Sequence, residues 1–315
     1  MKKIPFWPTI GSAYRFAFEH LATIIALIWL PLIVLCIAGY FAISHYFDGI
    51  LSAVAAGNRY AAYAGIGDYY LFRIGALFLE SVMAVAVMRQ ALAPRGRSVF
   101  VHFWLGPTEL RMFGAFASAA LVLLAIEIFA LFLLFVLLTI AARTFGAGHG
   151  AASSYALWAM LALFLVTFGG VAFVWVRLSF LLVPVTVAEN RIDLIRAWEL
   201  TRGSFWRAFL ITTFTSVPAW LLYLTLQIAF VGFAMAGDAW NAWPFGIDLT
   251  SAAENVALKT HGILALLPYF YGAWFLVRPL TLGLTTGAAA AAYRALVPEP
   301  AAVSTQSAGI RTANS

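Results

Sequence analysis

The chain has 315 residues, 63% of them hydrophobic and only 10% charged, with a mean hydropathy of +0.93. Water-soluble domains carry roughly a quarter charged residues, so the composition excludes an ordinary soluble fold and points to a chain that keeps most of its length in lipid. The formal net charge of +6 then has to be explained by where the basic residues lie.

The first element is an amphipathic stretch, PFWPTIGSAYRFAFEH. It leads into the first of six apolar runs that reach the roughly 20 residues a spanning helix needs. These passes cover about Leu21–Ile43, Tyr69–Leu92, Met112–Ala142, Tyr155–Ala188, Ala208–Ala234 and Leu258–Ala292. None alternates with a period of two, which argues against a transmembrane β-barrel and for an all-α membrane bundle. The first run starts some 20 residues in and is too long for a cleaved leader.

The connections alternate in charge. Segments 1–20, 89–111, 189–207 and 293–315 hold thirteen of the nineteen Lys and Arg, among them Arg15, Arg89, Arg111, Arg191, Arg207 and Arg294. The opposite connections hold only Arg59, Arg143 and Lys259, together with Asp48, Asp68, Asp238, Asp248 and Glu254. The positive-inside rule puts both termini in the cytoplasm. The net charge then reflects topology and attraction to anionic lipid, not nucleic-acid binding.

A repeat runs through the arginines. Arg15, Arg111 and Arg207 are spaced 96 residues apart, each before a membrane entry and each followed by phenylalanine. On the return passes, Arg73, Arg177 and Arg278 precede the cytoplasmic Arg89, Arg191 and Arg294 by 16, 14 and 16 residues. The plan predicts three helical hairpins, about 8–92, 104–191 and 192–295, within one membrane domain over 1–296, followed by a disordered cytoplasmic tail over 297–315. On straight helices, 14–16 residues place the inner arginines about 21–24 Å from the cytoplasmic anchors. An unpaired charge at that depth is costly, so each needs a partner or a ligand. Glu127, 16 residues after Arg111, comes to the same depth as Arg177, which predicts an Arg177–Glu127 ion pair. Glu80 shares a helical face with Arg73 and is a further candidate partner for it and for Arg278. Two readings stay open: the arginines pin helix order, or Arg73, Arg177 and Arg278 form a cationic vestibule for an anionic headgroup or solute.

Between the fourth and fifth passes, ENRIDLIRAWELTRGSFWRAF predicts a short interfacial helix. Asn190 is its expected cap, Asp193 falls in its first turn and Gly203 is its stop. Leu194, Ala197, Trp198, Thr201 and Phe205 make its apolar stripe. In the last pass, Gly283 and Gly287 form a GxxxG pair suited to close helix approach, within the bundle or between copies. Ser251 and Glu254 match a capping box before that pass. Thr212, Thr213, Thr215 and Ser216 are the type of residue that satisfies carbonyls inside a helix rather than acting as a nucleophile.

The stretches RLSFLLVPVTVAENRIDLIRAWELTRGSFWRAF and PFWPTIGSAYRFAFEHLATII resemble a family of bacterial multi-pass inner-membrane proteins. That family is related to the membrane domain attached to some glycerophosphodiester phosphodiesterases. The resemblance implies an inner-membrane bundle linked to phospholipids or the envelope. The chain holds no soluble hydrolase module, so the phosphodiesterase activity is not carried over.

Chemistry is sparse. The five histidines, His20, His45, His102, His149 and His261, show no metal spacing, and no P-loop, GxSxG or Rossmann pattern is present. Cys36 is the sole cysteine. The expectation is a non-enzymatic membrane protein with no cofactor and no metal, whose partners are membrane lipids and whose candidate ligand is a phospholipid or other anionic amphiphile. A small-solute transporter or channel and a membrane scaffold are the alternatives.

Overall fold

The computed structural model describes residues 3–56, 66–93, 106–145, 169–234 and 252–297. Among them every regular element is a helix. In chain order these are α1 (Phe6–Glu19), α2 (Leu21–Ala56), α3 (Ile66–Leu92), α4 (Pro107–Phe145), α5 (169–179), α6 (Leu182–Glu189), α7 (Leu194–Thr201), α8 (Phe205–Ala234) and α9 (Ala252–Leu296).

Six segments are long and apolar enough to cross a membrane: Leu21–Ala53, Ile66–Leu92, Pro107–Phe129, Gly169–Glu189, Phe205–Ala229 and Leu264–Leu296. They overlap the six predicted passes, with 155–168 of the fourth outside the described residues. The tail over 298–315, the Ser251 cap and His149 lie outside the described residues.

The fourth pass is broken. Phe180 and Leu181 form a turn between α5 and α6. Pro184 explains it, because a proline has no N–H for the carbonyl four residues back and its ring crowds that carbonyl, here Phe180's. The connection after α6 also differs from expectation. Asn190 ends α6 in the left-handed conformation (φ 54°, ψ 35°), a region asparagine tolerates better than most residues. Its side chain accepts from Arg111 Nη1. The N-cap of α7 is Asp193, whose Oδ1 accepts from the Arg196 N–H at 2.7 Å. Gly203 follows with φ 81°, the stop the sequence predicts.

The last helix is the hub. α9 packs against α8, α1, α2, α3 and α6. Its run of glycine and alanine lets α1 lie close. A Cβ added to Gly283 would come within 2.9 Å of Ile24 Cδ1 and 3.3 Å of Ala17 Cβ, and one on Gly287 within 3.2 Å of Ala13 Cα. The GxxxG pair therefore serves packing within the bundle. α1 buries Thr9, Ile10, Ala13 and Ala17, and Tyr14 donates to the Phe214 carbonyl at 2.9 Å. One cluster joins Ile4, Ala13, Val176, Ala197, Ala208 and Ala292, so the described start and end of the chain meet at one end of the bundle.

The same end carries the polar ties. Arg89 donates to buried Glu109 at 2.7 Å, and the Gly106 N–H donates to its other oxygen at 3.1 Å. Arg294 donates to Ala91 O and, at 2.8 Å, to Leu92 O, covering carbonyls that the last turn of α3 leaves open. Glu189 takes Arg191 at 2.8 Å and the Tyr293 hydroxyl at 3.3 Å. The three entry arginines have different partners: Arg15 lies 3.9 Å from Glu19, Arg111 meets Asn190, and Arg207 donates to the Ile4 carbonyl at 2.9 Å.

Candidate functional site

At the opposite end, α2, α3, α8 and α9 enclose a cleft of about 430 Å³. Its walls follow from helical periodicity. Tyr69, Phe72, Arg73, Ala76 and Glu80 on α3, and Leu267, Phe270, Tyr271 and Trp274 on α9, all line it. Their spacings of three, four and seven place each set on one face. Leu35 and Ile43 of α2 and Tyr223 of α8 complete the lining. Gly39 admits this arrangement. A Cβ there would stand 2.6 Å from the Tyr271 ring and 2.9 Å from Phe72 Cζ, so a side chain at this position would displace the tips of both rings from where they line the cleft.

One of the three inner arginines, Arg73, lines this cleft, and a second, Arg278, reaches its edge by pairing with the lining Glu80. Arg278 Nη2 lies 3.3 Å from Glu80 Oε1, and its guanidinium sits 5.2 Å from the centre of the Trp274 ring, within cation–π range. Arg73 lines the cleft two turns before Glu80 on the same face of α3, and no carboxylate among the described residues lies within ion-pair distance of it. The three side chains leave the cleft with one uncompensated positive charge. Gln227 of α8 adds an unmet acceptor nearby. Its Nε2 reaches Phe270 O at 3.4 Å, and its Oε1 is buried with no partner.

Arg177 is not part of this cleft, and its ion pair with Glu127 is not formed. Its guanidinium stacks on Phe173 at 4.9 Å and on Trp198 at 4.5 Å, while Glu127 is exposed on α4. The depth arithmetic assumed a straight fourth pass. The break at 180–181 and the return of α7 alongside α5 put Arg177 beside the connecting helix instead. The predicted three-arginine vestibule therefore divides into a pair at the cleft and one arginine elsewhere.

Other sequence candidates fall into place individually. Thr212, Thr213 and Thr215 donate to Ala208, Phe209 and Ile211 carbonyls at 2.8–2.9 Å, the backbone role expected of them. His45 pairs with Asp68 at 3.3 Å on an exposed surface. No group of His, Cys, Asp and Glu among the described residues has the geometry to hold a metal. The aromatic walls of the cleft were not singled out from the sequence. The signal was there, in the i, i+3, i+4, i+7 spacing of 267, 270, 271 and 274, but such a stripe reads equally well as plain helix packing. No protein-family model matches the chain, and no curated protein or solved structure is similar enough to match it.

Proposed function

We propose that this is a non-enzymatic protein of the bacterial inner membrane, with six passes arranged as three hairpins and both termini cytoplasmic, and that it binds a phospholipid or another anionic amphiphile in the cleft. One observation carries the reading: Arg73 faces a cavity walled by Leu, Ile, Phe, Tyr and Trp and has no counter-ion among the described residues. A guanidinium presents a planar fork of donors that suits a phosphate or carboxylate. The surrounding rings and aliphatic chains offer an apolar lining of the kind that takes an acyl or other greasy tail. The resemblance of the chain to envelope-related membrane proteins points the same way. A scaffold role is the competing reading, favoured by the internal pairing of Arg278 with Glu80.

Native mass spectrometry of gently extracted protein separates the two. The wild type should retain a defined anionic lipid, and Arg73→Gln should weaken that retention about tenfold, the loss expected of one charge-assisted contact. Arg73 is exposed and makes no ion pair, so the substitution leaves the bundle folded. Equal retention by both proteins, or no specific adduct on either, would leave the scaffold reading.

A further inference from the structure

Arg177 raises a question that the cleft does not answer. Its guanidinium lies against two aromatic rings, Phe173 from α5 and Trp198 from α7. Stacking uses the faces of the guanidinium and leaves its edge free to donate, and among the described residues that edge forms no ion pair. Its Nε is buried without a hydrogen-bond partner.

The nearby charges make the gap wider. Arg202 ends α7 four residues after Trp198, so it lies one turn along from the ring on which Arg177 stacks. The acids of this connection are occupied or apart. Glu189 is taken by Arg191, Arg196 and Tyr293. Asp193 caps α7 and pairs with Arg191 at 3.2 Å. Glu199 is exposed and forms no ion pair among the described residues. Two guanidiniums placed within a helical turn of each other, with no described carboxylate paired to either, repel each other, and an anion between them relieves that repulsion.

The neighbourhood says what kind of anion. Ile195 on α7 and Trp206 at the start of α8 project from the bundle, 73% and 71% exposed. Tryptophan beside arginine at the edge of a spanning segment is the pattern of the headgroup level of a bilayer. Basic side chains there attract anionic lipid.

We infer that Arg177 and Arg202, framed by Phe173 and Trp198, form a second site, separate from the cleft, which holds the phosphate of an anionic membrane lipid at the α5–α7 junction. The stacked Arg177 presents its edge to the phosphate, Arg202 supplies the second charge, and the exposed Trp206 and Ile195 meet the acyl chains. The shared chemistry is a singly charged phosphate ester. The lipid tails distinguish it from free phosphate.

The test uses full-length protein carrying Arg73→Gln, so that the outcome does not depend on the cleft. Delipidated protein in nonionic detergent is titrated with phosphatidylglycerol, phosphatidylcholine or inorganic phosphate, and bound adducts are counted by native mass spectrometry. Phosphatidylglycerol should bind, and adding Arg202→Gln should weaken it about tenfold with an unchanged melting temperature, because Arg202 is exposed. Arg177→Lys should weaken it similarly, since lysine keeps the charge and loses the fork. Unchanged binding in the Arg202→Gln protein overturns the proposal. Equal binding of phosphatidylcholine overturns the requirement for an anionic lipid. Displacement of phosphatidylglycerol by millimolar inorganic phosphate overturns the lipid assignment in favour of a soluble anion.

Discussion

Single charges decide much of this molecule, and the same residue type meets opposite fates. Glu109 is buried and holds Arg89 and the Gly106 N–H together. Glu127, further along the same helix, is exposed. Removing the buried member of a pair leaves its partner uncompensated, which costs about 3–5 kcal/mol. Glu109→Ala should therefore lower stability by about 3 kcal/mol, toward the smaller end because Arg89 keeps some exposure. Unfolding by a denaturing detergent, followed by circular dichroism, measures this. A loss below about 1 kcal/mol, the value of a surface pair, would mean that Glu109 is solvated after all. Depth was legible in the sequence for Arg73 and Glu80, whose seven-residue separation on an unbroken helix survives folding. It was not legible for Arg177, because counting residues assumes a straight helix and Pro184 breaks this one.

At the scale of elements, the apolar runs announced themselves, since a spanning helix is recognised by length and hydropathy alone. The short helices were harder. Asp193 and not Asn190 caps α7, because two cap-forming residues three apart compete and the chain reversal at Asn190 needs a left-handed residue. The GxxxG pair was read correctly as a place of close approach, but not that its partner would be α1. This contact makes a direct prediction. Gly287→Leu should push Ala13 away and loosen α1, since the obstructing atoms are backbone as well as side chain. A cysteine at Ala13, reacting slowly in the otherwise wild-type protein, should then be labelled readily by a maleimide. Gly75→Ala in α3 is the counterpart. Nothing lies within 4 Å of the added Cβ, so it should stabilise by about 0.5–1 kcal/mol through helix propensity. Equal labelling rates with and without Gly287→Leu would show that α1 is not held by this contact.

For the whole molecule, Ile4 and Tyr293 share one cluster, which fits an even number of crossings and both termini on one side. The proposed topology, which follows the arginine-rich connections, has that side in the cytoplasm. A fluorescent reporter that matures only in the cytoplasm should be bright when fused after Ser315 and dark when placed within 57–65; the reverse pattern would invert the topology. How the helices assort was not legible, because hydropathy marks what enters lipid and says nothing of which apolar face meets which. That assortment centres on α9, and it bears on time. α9 leaves the ribosome after every other described helix. Until it arrives, α1 has no seat at Gly283 and Gly287, the Ala91 and Leu92 carbonyls wait for Arg294, and Glu80 stands in the membrane without Arg278. The first hairpin can insert early but cannot finish early. Its earliest helices are completed by the latest, so a nascent chain stalled before α9 would display exposed polar groups in the bilayer to the proteases and chaperones that survey it.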